Sequence, residues 1–567
     1  MYTLGINAAY HDSAACLVRD GRVVAAAEEE RFTRIKHGKR PLPFTAWELP
    51  YHAIDYCLQA ADIELAAVDH VAYAYDPYLL LDGRGDTITL PLEPSARTAP
   101  GLAPWEPLFL SYIVNAERQL LDGAPHHLGA RFRGAKRGRR WRWHFVEHHL
   151  SHEASAFLAS PFDETAVMTL DGRGERTATS YGHFAGGDYR RLGQVPLPHS
   201  LGLLYEEVTS YLGFLRSSDE YKVMALASYG TPRHADVFRD IVQAAPDGRY
   251  EVRPLRLEER LGPPRRRGAA LEPRHFDIAR SLQLVLEETV LELARWLHEE
   301  TAADNLCMAG GVALNCVLNG RLRHAGPFRR VWVQPAAGDA GTALGAALWV
   351  DWRERGGGQV YSMEHAYLGP EYSAAEIEAC LRRAKLQARR LENVAEETAE
   401  LLARDRIVGW FQGRMEFGPR ALGARSILAS PMSPAMQQRL NDIKDREDFR
   451  PVAPVVLEEE APRWFVNGER SPFMLFVFDV RPEKAERIPA VRHVDGTARV
   501  QTIRREQHPL YYDLVDAFRR RTGVPVLVNT SFNTRGAPIV CTPRDAVECF
   551  ASSPLDALVI GPWLLEK

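Results

Sequence analysis

Cysteine is scarce in this chain and is not arranged in pairs. Its 567 residues include seven cysteines, an odd number, and no Cys-x-x-Cys motif occurs. This argues against a disulfide framework and predicts reduced thiols in a cytoplasmic protein. The first residues, Met1 to Asn7, predict a short strand and not a signal peptide.

Long apolar runs and an excess of one charge are also lacking. No run approaches the ~18 apolar residues of a membrane-spanning helix, so no membrane association is predicted. The formal net charge is −4, which argues against nucleic acid as a partner. Hydrophobic residues make up 46% of the chain, enough for a large core. The length predicts about two to four domains.

Three common site motifs are missing. The sequence has neither a G-x-x-x-x-G-K-[ST] loop nor a G-x-G-x-x-G turn, which excludes the P-loop and Rossmann signatures. The zinc-protease motif H-E-x-x-H also fails, because His149 stands where the motif needs glutamate.

What the chain does have is a histidine pair near its middle. His148 and His152 are four residues apart, so on a helix both imidazoles lie on one face. Further on, a predicted strand from Thr165 to Leu170 ends at Asp171, beside a glycine-rich turn. Two imidazoles and a carboxylate can bind a metal ion. A surface histidine cluster beside a hairpin is the alternative, and these residues alone leave it equally open.

A strand-turn-strand-turn-strand pattern occurs twice. Residues 3–28 contain it with an Asp20-Gly21 hairpin turn, and residues 165–195 repeat the layout. This predicts an internal duplication of an α/β unit. The charged run Glu28–His37 follows the first copy directly, and it fits a solvated face and a site equally well.

Two predicted strands end in glycine turns that precede helices. Asn305–Ala309 leads into Gly310-Gly311, and Val331–Gln334 leads into a turn that contains Asp339. Backbone amides at helix starts bind phosphate, and glycine lets the phosphate approach. The tandem arrangement therefore predicts nucleotide binding. A long amphipathic helix is predicted between residues 275 and 300, before the first of these turns.

Glycine-rich segments at 356–358 and 368–370 indicate a change of domain. Beyond them, arginines stand beside glycine, proline and asparagine rather than in runs; they include Arg414, Arg420, Arg446, Arg450, Arg499 and Arg504. Guanidinium groups match phosphate geometry, so this pattern predicts a polyanion site. The alternative is that these arginines cap helices and bridge surface acids.

Residues 77–130 show no clean period and predict an irregular or helical insertion. Arg131–Arg142 holds seven basic residues next to Trp141 and Trp143. A solvated loop is favoured there over an anion or nucleic-acid patch, because the total charge is slightly negative.

Five motifs, in order along the chain, resemble those of the nodulation/cephamycin-type O-carbamoyltransferase family. They are Glu28–Arg34, His148–His152, Ala309–Asn315, Gly418–Gly423 and Asn529–Asn533. Members of this family transfer a carbamoyl group from carbamoyl phosphate, with ATP, to a hydroxyl of a sugar, antibiotic or other metabolite. The resemblance implies an α/β chain with two domains. Residues 1–365 would form a duplicated actin-like ATPase (ASKHA-type) carbamoyl-transfer domain with an insertion near 77–145. Residues 366–567 would form a YrdC-like α/β domain that makes carbamoyl adenylate.

The resemblance also assigns residues. His11 would be the general base, with Asp12 and Lys36 beside it. His148, His152, Asp171 and Asp339 would bind Fe²⁺ or another divalent metal. Gly310, Gly311, Asn315 and Lys222 would hold the nucleotide in the first domain. Arg420, Lys444, Arg450, Arg499, Asn529 and Ser531 would hold carbamoyl phosphate and Mg²⁺-bound ATP in the second. The Lys222 segment departs from the family, because Tyr221 and Ala225 replace glycines that usually flank it.

Two other functions use related folds. A tRNA-modifying threonylcarbamoyl-type transferase would need a nucleic-acid surface, and a non-enzymatic actin-like nucleotide switch would leave the Lys444 to Asn533 cluster without a use. The expected partners are therefore ATP, carbamoyl phosphate and a small-molecule hydroxyl acceptor. A homodimer is compatible with the resemblance.

Overall fold

The computed structural model describes residues 1–38, 48–80, 106–122, 141–534 and 536–567. The chain divides into two compact units, Met1–Met363 and Glu364–Lys567, and this division lies close to the domain boundary predicted between 365 and 366. Most of the predicted insertion and the basic residues 131–140 lie outside the described residues. The described part of the insertion includes two helices at 106–122.

The first unit contains twelve strands in its described part. They are β1 Tyr2–Asn7, β2 Ala14–Arg19, β3 Arg22–Glu28, β4 His70–Tyr73, β5 Arg142–Phe145, β6 Thr165–Leu170, β7 Thr177–Ala185, β8 Asp188–Pro196, β9 Val242–Ala244, β10 Tyr250–Val252, β11 Asn305–Ala309 and β12 Arg330–Val333. Its α-helices are α1 Glu30–Thr33, α2 Tyr51–Ala60, α3 Glu106–Val114, α4 Ala116–Asp122, α5 His148–Phe157, α6 Leu201–Tyr211, α7 Glu220–Ala227, α8 Ala235–Ile241, α9 Leu257–Leu261, α10 Pro273–Thr301, α11 Cys316–Ala325 and α12 Ala340–Glu354.

Two five-stranded sheets in this unit share one topology. Their strand orders are β3-β2-β1-β4-β5 and β8-β7-β6-β11-β12. In each sheet the first three strands in sequence are antiparallel neighbours, and the fourth and fifth run parallel to the first. In each sheet a helix, α5 or α12, follows the fifth strand. The predicted duplicated, actin-like α/β fold is therefore confirmed.

The cores of these sheets follow from their sequences. Both β1 and β6 carry apolar or small residues that are almost completely buried along the strand, as central strands covered on both faces require. The predicted long helix is confirmed as α10, whose apolar positions recur at helical spacing.

The charged run after β3 is not a solvated face. Glu28, Glu29 and Arg31 are buried. Arg31 Nη2 lies 2.8 Å from Glu28 Oε1, and Glu29 accepts from the backbone N–H of Ala53 at 2.9 Å. These charges therefore pair with each other and with the start of α2, which offsets the cost of burying them.

The second unit is built on one mixed sheet of nine strands in its described part. The strands are β13 Arg389–Arg390, β14 Val408–Phe411, β15 Arg425–Ala429, β16 Ala453–Leu457, β17 Phe476–Asp479, β18 Thr497–Ile503, β19 Val526–Ser531, β20 Ala557–Ile560 and β21 Trp563–Glu566, in the order β13-β21-β20-β14-β15-β19-β16-β18-β17. The helices are α13 Ala374–Arg383, α14 Val394–Ala403, α15 Met436–Ile443, α16 Ala461–Trp464, α17 Pro509–Thr522 and α18 Pro543–Ala551. The predicted α/β class is confirmed for this unit as well.

Among the helices that the structure describes, none combines the length and the apolar character needed to cross a membrane.

Candidate functional site

The duplication brings four side chains of the first unit together. Asp171 follows β6, the first strand of the second copy. His148 and His152 lie on α5, which follows the fifth strand of the first copy, and Asp339 is the N-cap residue of α12, its counterpart in the second copy. All four side chains are buried, and they form a group whose ligand atoms lie within 4.8 Å of one another. We call this group the four-residue cluster.

The spacing inside the four-residue cluster suits a cation better than direct hydrogen bonds. His148 Nε2 lies 3.4 Å from Asp171 Oδ2 and 3.6 Å from Asp339 Oδ1. His152 Nε2 lies 3.9 and 3.8 Å from the same oxygens. Two ligand atoms that each stand ~2.0–2.2 Å from one ion are separated by about 3 to 4 Å, depending on the angle between them.

The buried ring nitrogens of the cluster lack other partners. Within the described residues, His148 Nε2 and both ring nitrogens of His152 are buried and accept or donate no hydrogen bond. A buried polar atom without a partner costs free energy. Two imidazoles and two carboxylates are a common donor set for Fe²⁺, Zn²⁺ or Mn²⁺, so these residues fit a divalent metal.

The charges of the cluster act strongly on each other. Burial alone lowers the pKa of His148, but the negative charges of Asp339 and Asp171 outweigh it and raise the pKa well above its usual value. Burial raises the pKa of Asp339, yet the charges of His11 and His148 hold that pKa well below the usual range. The cluster therefore behaves as a set of paired charges around a common centre.

Neighbouring groups orient the cluster side chains. His148 Nδ1 donates to the carbonyl of Ala74 at 3.4 Å, which turns Nε2 towards the carboxylates. The backbone N–H of Gly311 donates to Asp171 Oδ1 at 2.7 Å, so Oδ2 faces the histidines. Glu175 accepts from the backbone N–H of His148 at 2.9 Å and fixes the start of α5; burial raises the pKa of Glu175 to about 7.

A chain of hydrogen bonds leads away from the four-residue cluster at the loop after β1. His11 Nδ1 donates to Asp12 Oδ2 at 2.9 Å, and His37 Nδ1 lies 2.7 Å from Asp12 Oδ1. His37 Nε2 lies 3.1 Å from Ser218 Oγ. On the other side, His11 Nε2 lies 3.9 Å from Asp339 Oδ2. Asp12 is thus held between two imidazoles, and it orients His11 towards the cluster.

The electrostatics of this chain follow from its geometry. Burial alone lowers the pKa of His11, but the charges of Asp339 and Asp12 raise it to about 10. Burial alone raises the pKa of Asp12, and the two flanking imidazoles outweigh it and hold the pKa far below its usual value. Asp12 is therefore ionised, and it accepts from both rings.

The two predicted lysines of this unit occupy different surroundings. Lys36 Nζ lies 3.4 Å from Ser218 Oγ, next to His37. Lys222 lies at the start of α7, where its ammonium is 3.2 Å from Asp219 Oδ2. The structure thus brings Lys36 into the chain that contains Asp12, whereas Lys222 pairs with Asp219, the N-cap residue of its own helix.

The predicted nucleotide residues line the first glycine turn. Gly310 has φ +92, and a Cβ there would stand 2.2 Å from the carbonyl oxygen of Leu170, so only glycine fits. The Gly311 amide is already used by Asp171. Asn315 caps α11 by accepting from Leu318 N–H at 3.0 Å, and its Nδ2 donates to Gln283 at 2.8 Å. Gly311 therefore supports the four-residue cluster as well as the turn.

A second polar centre lies in the second unit around Lys444. This side chain is buried, and its ammonium donates to four oxygens: the carbonyl and Oγ of Ser531 at 2.5 and 3.0 Å, and the carbonyl and Oδ1 of Asn533 at 3.2 and 2.7 Å. All four acceptors are neutral. Burial, followed by the charges of Arg446 and Arg450, lowers the pKa of Lys444 well below its usual value. An anion at this centre would restore the balance of charge.

Asn529 lies two residues before Ser531 on β19 and faces the same side of the sheet. It is buried, and its Nδ2 donates to Gln501 Oε1 at 2.7 Å and to the carbonyl of Ala421 at 3.1 Å. Ala421 directly follows Arg420. The structure therefore brings the Gly418–Gly423 motif and the end of β19 together.

Two predicted arginines adjoin this second centre. Arg499 shares β18 and one face with Gln501, and its Nε is buried without a hydrogen-bond partner among the described residues. Arg450 lies close enough for its charge to act on Lys444, and its Nη1 is 3.5 Å from Glu447.

Some residues of both centres have no signal in the single sequence. His37 and Ser218 meet although they are 181 positions apart, and no local pattern predicts that contact. Gln501 lies on β18 outside every motif identified in the sequence. Asn533 had a signal: it lies two residues after Ser531 within a motif that the family resemblance already covers.

Comparison with known proteins identifies the family. The family profile described as Carbamoyltransferase N-terminus matches residues 2–84 and 106–348, and the profile described as Carbamoyltransferase C-terminus matches residues 399–567. The chain belongs to the carbamoyltransferase family. The predicted enzyme class, a carbamoyltransferase, is therefore confirmed, and the first profile spans both copies of the duplicated fold.

Whole-length relatives agree with this assignment. The carbamoyltransferase is 41% identical to an uncharacterized protein of Synechocystis sp. over 615 residues, which cover 100% of this chain and 97% of the relative. It is 39% identical over 576 residues to Nodulation protein NolNO of Sinorhizobium fredii, covering 99% of this chain and 80% of the relative. A solved structure, T. kodakarensis HypF, covers 63% of the carbamoyltransferase with 48% of its own chain, at 14% identity and a TM-score of 0.34.

Proposed function

We propose that this carbamoyltransferase is an ATP-dependent O-carbamoyltransferase acting on a hydroxyl of a small-molecule acceptor such as a sugar or an antibiotic. The second unit activates the carbamoyl group, and the first transfers it. The observation that carries this proposal is that two polar centres lie in two separately built units. One is the four-residue cluster with His11 and Asp12, and the other is the buried ammonium of Lys444.

The reaction divides into two balanced steps. Carbamoyl phosphate, ATP and one water give carbamoyl adenylate, pyrophosphate and phosphate: water releases phosphate and leaves carbamate, a carbamate oxygen attacks the α-phosphorus of ATP, and the bond from that phosphorus to pyrophosphate breaks. The acceptor hydroxyl then attacks the carbamoyl carbon, the bond from that carbon to the AMP oxygen breaks, and the O-carbamoyl product, AMP and a proton are released. Carbamoyl adenylate carries a better leaving group than carbamoyl phosphate does. When the hydroxyl attacks, AMP leaves the carbamoyl carbon more readily than phosphate would.

In the second unit, cationic side chains hold the polyphosphate groups. Lys444, Arg420, Arg450 and Arg499 are the residues proposed for carbamoyl phosphate and Mg²⁺-bound ATP, with Asn529 and Ser531 as neutral partners. Lys444 is held by Ser531 and Asn533, so its ammonium is already positioned when an anion arrives. Preorganised donors of this kind stabilise charge that develops during the reaction.

In the first unit, His11 is the proposed acceptor of the hydroxyl proton. Its Nδ1–H is engaged with Asp12, so Nε2 is the atom that would take the proton. The charge of Asp339 is the main cause that raises the pKa of His11, and a cation bound to Asp339 would lower that pKa and leave Nε2 unprotonated. His37 holds the second oxygen of Asp12, and Lys36 is placed next to this pair. Gly310, Gly311, Asn315 and Lys222 form the proposed nucleotide-binding turns.

The four-residue cluster is the proposed site of Fe²⁺ or another divalent metal. Such a cation, when bound, supplies positive charge that holds a phosphate group and offsets the carboxylates of Asp171 and Asp339. His148 and His152 contribute neutral nitrogen ligands, and Gly311 and Ala74 keep the ligand atoms oriented.

The test separates the two steps. The protein is incubated with ATP, Mg²⁺ and carbamoyl phosphate, and pyrophosphate is measured. We expect release by the native protein and by His11→Ala, and loss of release in Arg499→Ala. Product formation from a panel of hydroxylated sugars and antibiotics, followed by mass spectrometry, is expected to fail in His11→Ala, by a factor on the order of 10² or more.

The control is Arg544→Ala. Arg544 is an exposed arginine of the same unit that pairs with Glu548 at 2.7 Å, and its replacement is expected to leave both steps intact. Absence of pyrophosphate release from the native protein contradicts ATP-dependent activation. Equal loss of release in Arg499→Ala and His11→Ala contradicts the division of roles.

A further inference from the structure

A second pair of histidines lies in the first unit outside the site described above. His70 begins β4 and His144 lies on β5, and these strands are parallel neighbours. His70 is buried, and Glu354, the last residue of α12, lies beside the pair. The three side chains form a group whose ligand atoms lie within 4.8 Å of one another. We call it the sheet-end triad.

The sheet-end triad adjoins a packed contact between α12 and the sheet. Ala72 on β4, with Ala74 and Val146 directly after β4 and β5, packs with Ala346 and Val350 of α12 in one small apolar cluster. Glu354 continues the i, i+4 stripe of α12 that contains these two residues. The triad is therefore the polar end of an otherwise apolar helix-sheet contact.

The donor atoms of the triad converge. His70 Nδ1 and His144 Nε2 are hydrogen-bonded at 3.0 Å, and this distance also falls within the range of about 3 to 4 Å between two nitrogens bound to one ion. A cation that replaces the proton of this hydrogen bond would take a lone pair from each ring, because each neutral imidazole can carry its own proton on the other nitrogen.

We propose that the sheet-end triad binds a second divalent metal ion of the Zn²⁺ class. His70 Nδ1, His144 Nε2 and a carboxylate oxygen of Glu354 are its ligands, and water completes the tetrahedron. Two imidazoles and one carboxylate are a donor set that Zn²⁺ takes readily. The ion links the ends of β4 and β5 to the end of α12, whose opposite end carries Asp339. The inference is independent of the proposed function.

One local feature limits the affinity. Arg142 Nη1 lies 3.5 Å from Glu354 Oε2, so the guanidinium competes with the ion for the carboxylate. Because Arg142 is largely exposed, with 74% of its side chain accessible, it can turn away into water at little cost. Replacing Arg142 with Ala is therefore expected to strengthen Zn²⁺ binding at the triad by a few-fold.

The test counts bound Zn²⁺ on the full chain. Metal-free protein is dialysed against Zn²⁺, and bound metal per chain is measured by elemental analysis. We expect His144→Ala to bind one equivalent fewer than the native protein, and His148→Ala to lose a different equivalent, so that the double variant loses both. His183→Ala is the matched control, because His183 also lies 3.2 Å from a carboxylate, Glu164, in a place without a third ligand among the described residues.

A second variant covers the case in which His144→Ala does not fold. Glu354→Gln keeps the shape of an exposed side chain and removes its charge, and we expect its Zn²⁺ dissociation constant for one equivalent to rise about 10-fold or more. With Co²⁺ as a probe, the native protein is expected to show a tetrahedral absorption band that Glu354→Gln weakens. The proposal is overturned if the native protein binds only the equivalent that His148→Ala removes, or if Glu354→Gln and His144→Ala both bind as much as the native protein.

Discussion

His152 is a buried histidine whose ring nitrogens have no hydrogen-bond partner among the described residues. The carboxylate oxygens nearest to Nε2 lie 3.8 and 3.9 Å away, beyond hydrogen-bond distance. Unsatisfied buried nitrogens reduce the stability of the protein, and a cation in the cluster would satisfy Nε2.

We expect His152→Leu to change the free energy of unfolding in opposite directions without and with metal. In metal-free protein, His152→Leu is expected to raise the free energy of unfolding, by about 1 kcal/mol, because it removes two unsatisfied polar atoms. With Fe²⁺ or Zn²⁺ in excess, the same variant is expected to be less stable than the native protein, because it loses a metal ligand. Urea unfolding with and without metal measures both. A metal-free variant that is several kcal/mol less stable than the native protein would show that His152 is a structural residue.

The residues of the four-residue cluster were predictable from the sequence to different degrees. The i, i+4 spacing of His148 and His152 predicts one helix face, and Asp171 follows a clearly apolar strand. Nothing local joins Asp339 to them, and the family resemblance supplied it. His37 contacts Ser218, a residue 181 positions away. Neither residue lies in a sequence pattern that predicts this contact.

At the scale of elements, the contact between α5 and α12 carries the cluster. Gly345 lies in the middle of α12, where a Cβ would stand 1.7 Å from the carbonyl oxygen of Ser151 on α5. This close approach sets the distance between the helix that bears His148 and the helix that begins at Asp339. Glycine is therefore needed there for packing, although it is a weak helix former.

Gly345→Ala is expected to push the two helices apart. We expect a loss of about 1–3 kcal/mol in the free energy of unfolding, from overpacking, together with a weaker affinity for the metal of the four-residue cluster. Denaturant unfolding and metal titration measure the two effects. Gly193→Ala on β8 is the control, since the nearest atom to its added Cβ would be 3.7 Å away. If both variants bind metal as the native protein does, the α5–α12 spacing does not control the site.

The start of α17 is an element whose stability depends on pH. His508 is its N-cap residue, and Nδ1 accepts from the backbone N–H of Tyr511 at 3.2 Å. An imidazole that accepts through Nδ1 must be unprotonated at that atom. Burial lowers the pKa of His508 to about 4, in agreement with this requirement.

The sign of the pH effect follows. His508 takes up a proton near the usual histidine pKa in the unfolded chain, and only near pH 4 in the folded chain. The contribution of His508 to stability is therefore complete above the unfolded pKa. It is lost as the pH falls from the unfolded pKa to the folded pKa. His508→Asn keeps a good cap without the titration. We expect the free energy of unfolding, measured with urea, to fall between about pH 7 and about pH 5. The fall is expected to be about 1–2 kcal/mol smaller in His508→Asn than in the native protein. Equal losses in the two proteins would exclude His508 as the cause.

The elements were more predictable than the contacts between them. The helix predicted at 275–300 and the hairpin at 177–195 follow directly from periodicity and turn residues, and the structure has them as α10 and β7–β8. The charged run at 28–37 gave an ambiguous pattern. Its burial depends on α2, which supplies the backbone N–H of Ala53 to Glu29, and a sequence pattern does not contain that contact.

At the scale of the whole molecule, the chain carries two centres with different chemistry. The four-residue cluster combines two carboxylates with two imidazoles, a set that suits a transition-metal ion. The centre around Lys444 combines cations with neutral oxygens, a set that suits phosphate groups. Each lies within one of the two units, 1–363 and 364–567. A reagent that acts on only one kind of centre should therefore affect only one of the proposed steps.

Treatment with 1,10-phenanthroline tests this. It binds Fe²⁺ and Zn²⁺ strongly through two nitrogen atoms and has little affinity for Mg²⁺, which prefers oxygen ligands. We expect treated protein, assayed with ATP and Mg²⁺, to release pyrophosphate at the native rate but to form no carbamoylated product, and added Fe²⁺ to restore the product. The non-chelating isomer 1,7-phenanthroline is the matched control. Loss of pyrophosphate release on treatment would mean that activation of the carbamoyl group also depends on the transition metal, and the two centres could not then divide the reaction as proposed.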